Sequence, residues 1–167
     1  MSIAASLLPE FDHEMANTRT TLSRVPMDKA DWKPHERSGT LQWLAGHLAV
    51  LPMWATETVQ NSEFDMDNPT VEIPGPPDTT EELLALFDRN AAAARAALEG
   101  ASDETLLGMW TLKGGGQEVF TMPRIGVIRS FVMNHMVHHR GQLTVYLRLH
   151  DVPVPALYGP SADEGAM

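Results

Sequence analysis

Four stretches of the chain place apolar residues at the three- and four-residue spacing of a helix, and loops rich in proline or glycine separate them. From about residue 2 to 23, Ile3, Leu7, Phe11, Met15, Thr18 and Leu22 form one stripe. The segment "RVPMDKADWKPHERSG" ends that pattern, because each proline restricts itself and the residue before it. A second helix is predicted over about 40–60, capped by Ser38 or Thr40, with Leu41, Trp43, Leu44, Leu48, Leu51 and Trp54 on one side and a kink at Pro52. "NSEFDMDNPTVEIPGPPD" reads as a long loop. Thr79 and Glu82 then have the spacing of a capping box, and Gly100 a stop, for a helix over 80–99. A fourth helix is predicted from Pro123, as its first residue, to about His150. Between the last two, "MWTLKGGGQEVFTM" has two short apolar pieces around three glycines, compatible with a small hairpin or a glycine-rich loop. It lacks the strand–loop–helix context of a phosphate-binding loop. The pattern as a whole predicts an all-α four-helix bundle with long loops and at most one small hairpin, forming a single domain over 1–167.

Within the fourth helix, "NHMVHHRGQ" holds three of the chain's seven histidines. With about 100° of rotation per residue and His135 at zero, Ile125, Ile128, Val132, Leu143 and Tyr146 fall between roughly 20° and 80°. That predicts a buried face centred near 40°, with His139 on its centre line, His135 about 40° from it and His138 about 100° from it, at the polar boundary. In the second helix, His47 falls within about 40° of the face made by Trp43, Leu44, Leu51 and Trp54. Three imidazoles are thus expected to turn inward from two helices. An i, i+4 histidine pair alone is weak evidence, arising by chance in roughly a quarter of such compositions. Buried imidazoles nevertheless need partners. Three of them match a divalent site whose fourth position stays open, against a bland reading in which each bonds a carbonyl or a neighbouring side chain. His13, His35 and His150 do not join the set: one projects off its stripe, one lies in the proline-bearing loop, and one ends the fourth helix.

Composition narrows the chemistry. Twelve Lys and Arg against 22 Asp and Glu leave a formal charge of -10, with no basic stripe, which argues against nucleic acid and anionic membranes as partners. No cysteine is present, so any metal must be held by nitrogen and oxygen. "MSIAASLLPEFDHEM" does not read as a signal peptide, and no apolar run spans a bilayer, so a cytoplasmic protein is expected.

At this point the sequence resembles the DinB superfamily, the DinB/YfiT-like metalloenzymes. "RVPMDKADWKPHERSGTLQWLAGHLA" is similar to the family's first loop and second helix, "NHMVHHRGQLTVYLR" to its last helix, and "VPVPALYGPSADE" to the tail of one branch. The resemblance implies an up-down-down-up four-helix bundle with a divalent ion on His47, His135 and His139, the residues that helix phase had already singled out. It also implies a homodimer and, in members of known activity, thiol S-transferase or isomerase chemistry with small thiols such as bacillithiol or mycothiol. The expected function is therefore that of a metal-dependent enzyme of the thiol S-transferase type acting on a small molecule. The alternatives are a metal-dependent hydrolase and a non-catalytic metal-binding stress-response protein. Imidazole donors suit Zn or Ni first, with Fe, Mn or Cu compatible. No Glu adjoins a ligand histidine as in a metalloprotease helix. Gln142, one turn past His139, and Glu14, on the edge of the first helix's buried face, are candidates to support the ligands or face substrate. His138 is a third such candidate. Arg140 is expected on the surface. The loop 61–79 and the segment Gly114–Gly116 carry no assigned role.

Overall fold

The first helix, α1 (Ile3–Leu22), begins where the Ser2 hydroxyl accepts the Ala5 N–H, and buries the expected Leu7, Phe11, Met15, Thr18 and Leu22. Here and below, the protein is described from a computed structural model covering residues 1–165; Ala166 and Met167, the end of the domain expected over 1–167, lie outside the described residues. The helix expected over 40–60 is two helices, α2 (Leu41–Val50) and α3 (Met53–Gln60). Pro52 has no N–H to continue the ladder, so its kink becomes a break. α4 (Thr80–Gly100) carries the capping box in full: the Thr79 hydroxyl accepts the Glu82 N–H, and the Glu82 carboxylate accepts the Thr79 N–H. A short α5 (Asp103–Leu107), capped by Ser102, was not foreseen.

The expectation of an all-α four-helix bundle is overturned by a three-stranded sheet. β1 (Glu63–Asp65) runs parallel to β2 (Met109–Gly114), which pairs antiparallel with β3 (Gln117–Pro123), in the order β1-β2-β3. β2 alternates buried and less buried positions, the period-two signature of a half-covered strand. The turn between β2 and β3 needs two consecutive residues with positive φ, and Gly115 (61°) and Gly116 (72°) supply them. That is the role of the last two of the three glycines; Gly114 ends β2, paired with Gln117. β1 escapes sequence reading because three residues are too few to show alternation, and its pairing depends on backbone groups and on side chains distant in sequence, such as Lys113, which donates to Glu63 at 2.7 Å. Pro123 is correspondingly the last residue of β3, and the helical run starts after it.

That run passes through α6 (Arg124–Gly126), a π-helical stretch (Val127–Met133) and α7 (Asn134–Leu149). Arg124 fastens its start, donating to the carbonyls of Thr58, Asn61 and Met109 and so satisfying the open end of α3. α4 packs on α1, α2 and α3, while α7 packs on α2 and α1 around the main core. A second, smaller core joins Phe64, Trp110, Leu112 and Val127 beneath the sheet, with Trp54, Phe120 and Phe131 against it. No helix among the described residues is long and apolar enough to cross a membrane.

Candidate metal centre

His47 on α2 meets His135 and His139 on α7, each offering one ring nitrogen within 4.8 Å of the others. His135 Nε2 is 2.8 Å from His139 Nε2 and 3.4 Å from His47 Nε2. The three rings are half-buried rather than central in the core. The fully buried line of α7 is Met136, Arg140, Leu143 and Leu147, so the helix is turned relative to the phase count that put His139 on the centre line.

The π-helical stretch explains the difference. Its bonds reach five residues back, as in the Asn134 N–H donating to Arg129 O. Each such turn uses more than 3.6 residues, so a constant 100° step carried from Ile125 and Ile128 through seven such residues misplaces everything beyond them. The same rotation corrects the expectation for Arg140, whose side chain is buried and not on the surface. Leu44 on α2 and Leu51 just after it are buried as expected, whereas Trp43 is 48% exposed and lies over the site. Its ring stacks on His47 at 5.1 Å and 4° and stands edge-on to His139. Ala45, Gly46, Leu48, Ala49 and Val50 are all buried, so α2 is covered nearly all round and its apolar pattern gave the face only coarsely.

Second contacts set the protonation of the rings. The His139 Nδ1–H donates to Gln142 Oε1 at 2.7 Å, and the His135 Nδ1–H to Phe131 O at 3.3 Å. With both Nδ1 atoms as donors, both Nε2 atoms present bare lone pairs to each other across 2.8 Å. Such a pair repels unless a cation lies between. A proton serves poorly near neutrality: burial, and then the neighbouring His139 and His135, push His47 down to about 4. Burial also lowers His135 and His139, partly opposed by their bonds to Phe131 and Gln142. A divalent ion fits the donor set, since metal–nitrogen bonds of about 2.0–2.1 Å at ~90–109° hold their nitrogens roughly 2.9–3.4 Å apart. The second contacts are also of the kind that orients ligating histidines.

The remaining candidates separate clearly. Gln142 reaches the site through His139. His138 is exposed, its ring 4.9 Å from that of His139, where it helps hold His139 low. Glu14 is not brought to the triad: it is buried on α1, accepting from Arg140 Nη2 at 2.5 Å and from the Tyr158 hydroxyl at 2.7 Å. His13 bonds Asn17, His35 Nδ1 accepts the Arg37 N–H, and His150 packs on Trp32. Sequence reading missed the wall of the site made by Trp43 and by Ile73, Pro74 and Pro76 of the long loop, which line a half-open cavity of about 120 Å³ beside His47. Nothing in the local pattern of a proline-rich loop says where it lies in the fold.

A mostly helical protein whose second and last helices converge three imidazoles on one point is the class that fold and site define, and the chain belongs to the DinB family, whose model matches residues 1–166. The uncharacterized protein YrdA of Bacillus subtilis (strain 168) is 30% identical over 127 residues, 74% of this chain and 71% of that protein. In fold, a DinB-like protein of Bacillus cereus ATCC 10987 is similar with a TM-score of 0.72 at 20% identity, covering 94% of this chain and 98% of that one. The DinB-like protein YjoA of Bacillus subtilis is similar with a TM-score of 0.69 at 18% identity, covering 93% and 99%.

Proposed function

We propose that His47, His135 and His139 hold a divalent ion, Zn or Ni first among those compatible, and that the protein is a metal-dependent enzyme of the thiol S-transferase type acting on a small molecule. The observation that carries this reading is the convergence of three ring nitrogens, His135 Nε2 lying 2.8 Å from His139 Nε2 and 3.4 Å from His47 Nε2. Bound there, the ion would supply a Lewis-acid position that favours the anionic form of a coordinated thiol or water.

The chain's own residues account for the rest of such a site. Three neutral imidazoles leave the ion's full charge available for an anionic partner. Gln142 and the Phe131 carbonyl hold the α7 rings in one tautomer and one orientation. Trp43 covers one face of His47 and limits water there. Among the described residues no Asp or Glu belongs to the triad's group, so no carboxylate base stands among the ligands as hydrolysis of a peptide would use. That favours a substrate bringing its own acidic proton, which a thiol does.

Metal analysis of the purified protein tests the first half: about one divalent ion per chain is expected, falling to near zero in His47→Ala and His139→Ala. Equal, low metal content in all three proteins would end the reading. For the second half, a thiol-conjugation screen on metal-loaded protein should show turnover that chelation abolishes while the helical circular dichroism persists. A large loss of melting temperature on chelation, with no turnover beforehand, would favour a structural ion instead.

A further inference from the structure

Resting on that metal reading, we infer that the cavity walled by Trp43 and the loop residues Ile73, Pro74 and Pro76 is a specificity pocket that takes a short, uncharged apolar group on the molecule whose polar end lies at the triad. The other walls are Gly46, His47 and Val50, so the cavity touches the triad through His47 and no carboxylate or cationic side chain of Lys or Arg faces it. Trp43 and Ile73 are 48% and 49% exposed, two large apolar side chains left open side by side at a site's mouth. The volume, about 120 Å³, is close to the ~150 Å³ apolar cavity known to admit benzene, so a chain of a few carbons or one small ring fits within it.

The wall is built rather than incidental. A Cβ at Gly46 would meet Pro76 Cβ at 2.8 Å and Pro76 Cα at 2.9 Å, so only glycine lets the loop lie this close to α2 beside His47. Gln42 donates to Pro77 O and to Asp78 Oδ1, both at 3.0 Å, which pins the loop's end one turn before His47. The prolines Pro74, Pro76 and Pro77 stiffen what lies between. A pocket already formed before binding loses little ordering entropy when it is filled.

The test uses Co(II)-loaded full-length protein titrated with n-alkanethiols from ethanethiol to hexanethiol, read by the sulfur-to-cobalt charge-transfer band. N-alkylimidazoles of the same chain lengths are read in parallel by shifts of the cobalt ligand-field bands. Affinity should rise about fourfold per methylene and then level off once the pocket is full. 3-Mercaptopropionate, as long as butanethiol but charged at its far end, should bind at least about tenfold more weakly than butanethiol. Ile73→Ser should flatten the chain-length dependence, and Val119→Ser, on exposed β3, should leave it unchanged. Equal affinity across chain lengths in both series, or an Ile73→Ser slope equal to wild type, would overturn the pocket. Absence of any charge-transfer band beside normal ligand-field bands would instead overturn the thiol chemistry, with the imidazole series still deciding on the pocket. Failure of cobalt to occupy the triad would end both.

Discussion

Glu14 and Arg140 form an ion pair at 2.5 Å between α1 and α7, with side chains only 10% and 1% exposed. Arg140 also donates to Glu14 O at 3.0 Å and Thr18 Oγ1 at 2.9 Å, and it contacts the Tyr158 hydroxyl. The pair joins the helix that bears two candidate ligands to the first helix. Removing one partner strands a buried charge, which costs about 3–5 kcal/mol, whereas replacing both by apolar groups of similar volume is often nearly neutral. Arg140→Ala should therefore lose about 3–5 kcal/mol of unfolding free energy, and Glu14→Leu combined with Arg140→Met much less, by urea denaturation. A double variant no better than Arg140→Ala would contradict this account.

Tyr158 donates to Glu14 Oε2 at 2.7 Å although most of its ring faces solvent. Burial of the hydroxyl and the bond to Glu14 push it up to about 12, partly opposed by Arg140. A folded-state pKa raised above the unfolded value of 10 adds stability that is complete below pH 10 and is lost as pH rises toward about 12. In Tyr146→Phe, where the tyrosinate absorbance reports Tyr158 alone, the hydroxyl should ionise well above pH 10. In Glu14→Gln that titration should move down, and an unmoved curve would remove Glu14 as a cause.

The triad has the opposite sign. His47, held near 4, favours the neutral form in the folded protein, so its contribution to stability is complete above the unfolded value of 6.5 and is lost as pH falls toward about 4. His135 and His139 shift in the same direction. Ligation needs neutral rings, and all three rings stay neutral in the folded protein to below the ordinary value of 6.5, so metal affinity should hold steady from pH 8 to below 6.5 and fall as pH drops toward about 4. Isothermal titration across the range would show it, and constant affinity down to pH 4 is incompatible with three histidine ligands.

Gln142 is exposed, so its replacement should leave the fold intact, yet it alone holds the His139 Nδ1–H. Gln142→Leu should weaken metal binding by about 10–100-fold, as outer contacts of ligating histidines commonly do, and Gln142→Glu should restore it. Competition against a chelator measures both. Wild-type affinity in Gln142→Leu would show that this bond does not orient the ring.

What could be read along the chain was whatever depends on neighbours in sequence. The spans of α1 and α4, the Thr79–Glu82 box and an interruption at Pro52, expected as a kink and found as a break between two helices, follow from periodicity, side-chain caps and a missing N–H. The choice of His47, His135 and His139 also came from the sequence, because i, i+4 spacing and apolar neighbours are local, and the structure does place the three together. The tertiary structure decided what depends on distant partners. β1 exists only because β2 passes beside it. The Pro74–Pro76 wall stands beside His47 because Gly46 admits it. Arg140 lies buried because seven π-helical residues turned α7 away from the ideal count, a change in backbone bonding that no side-chain period records and that packing against the rest of the fold selects.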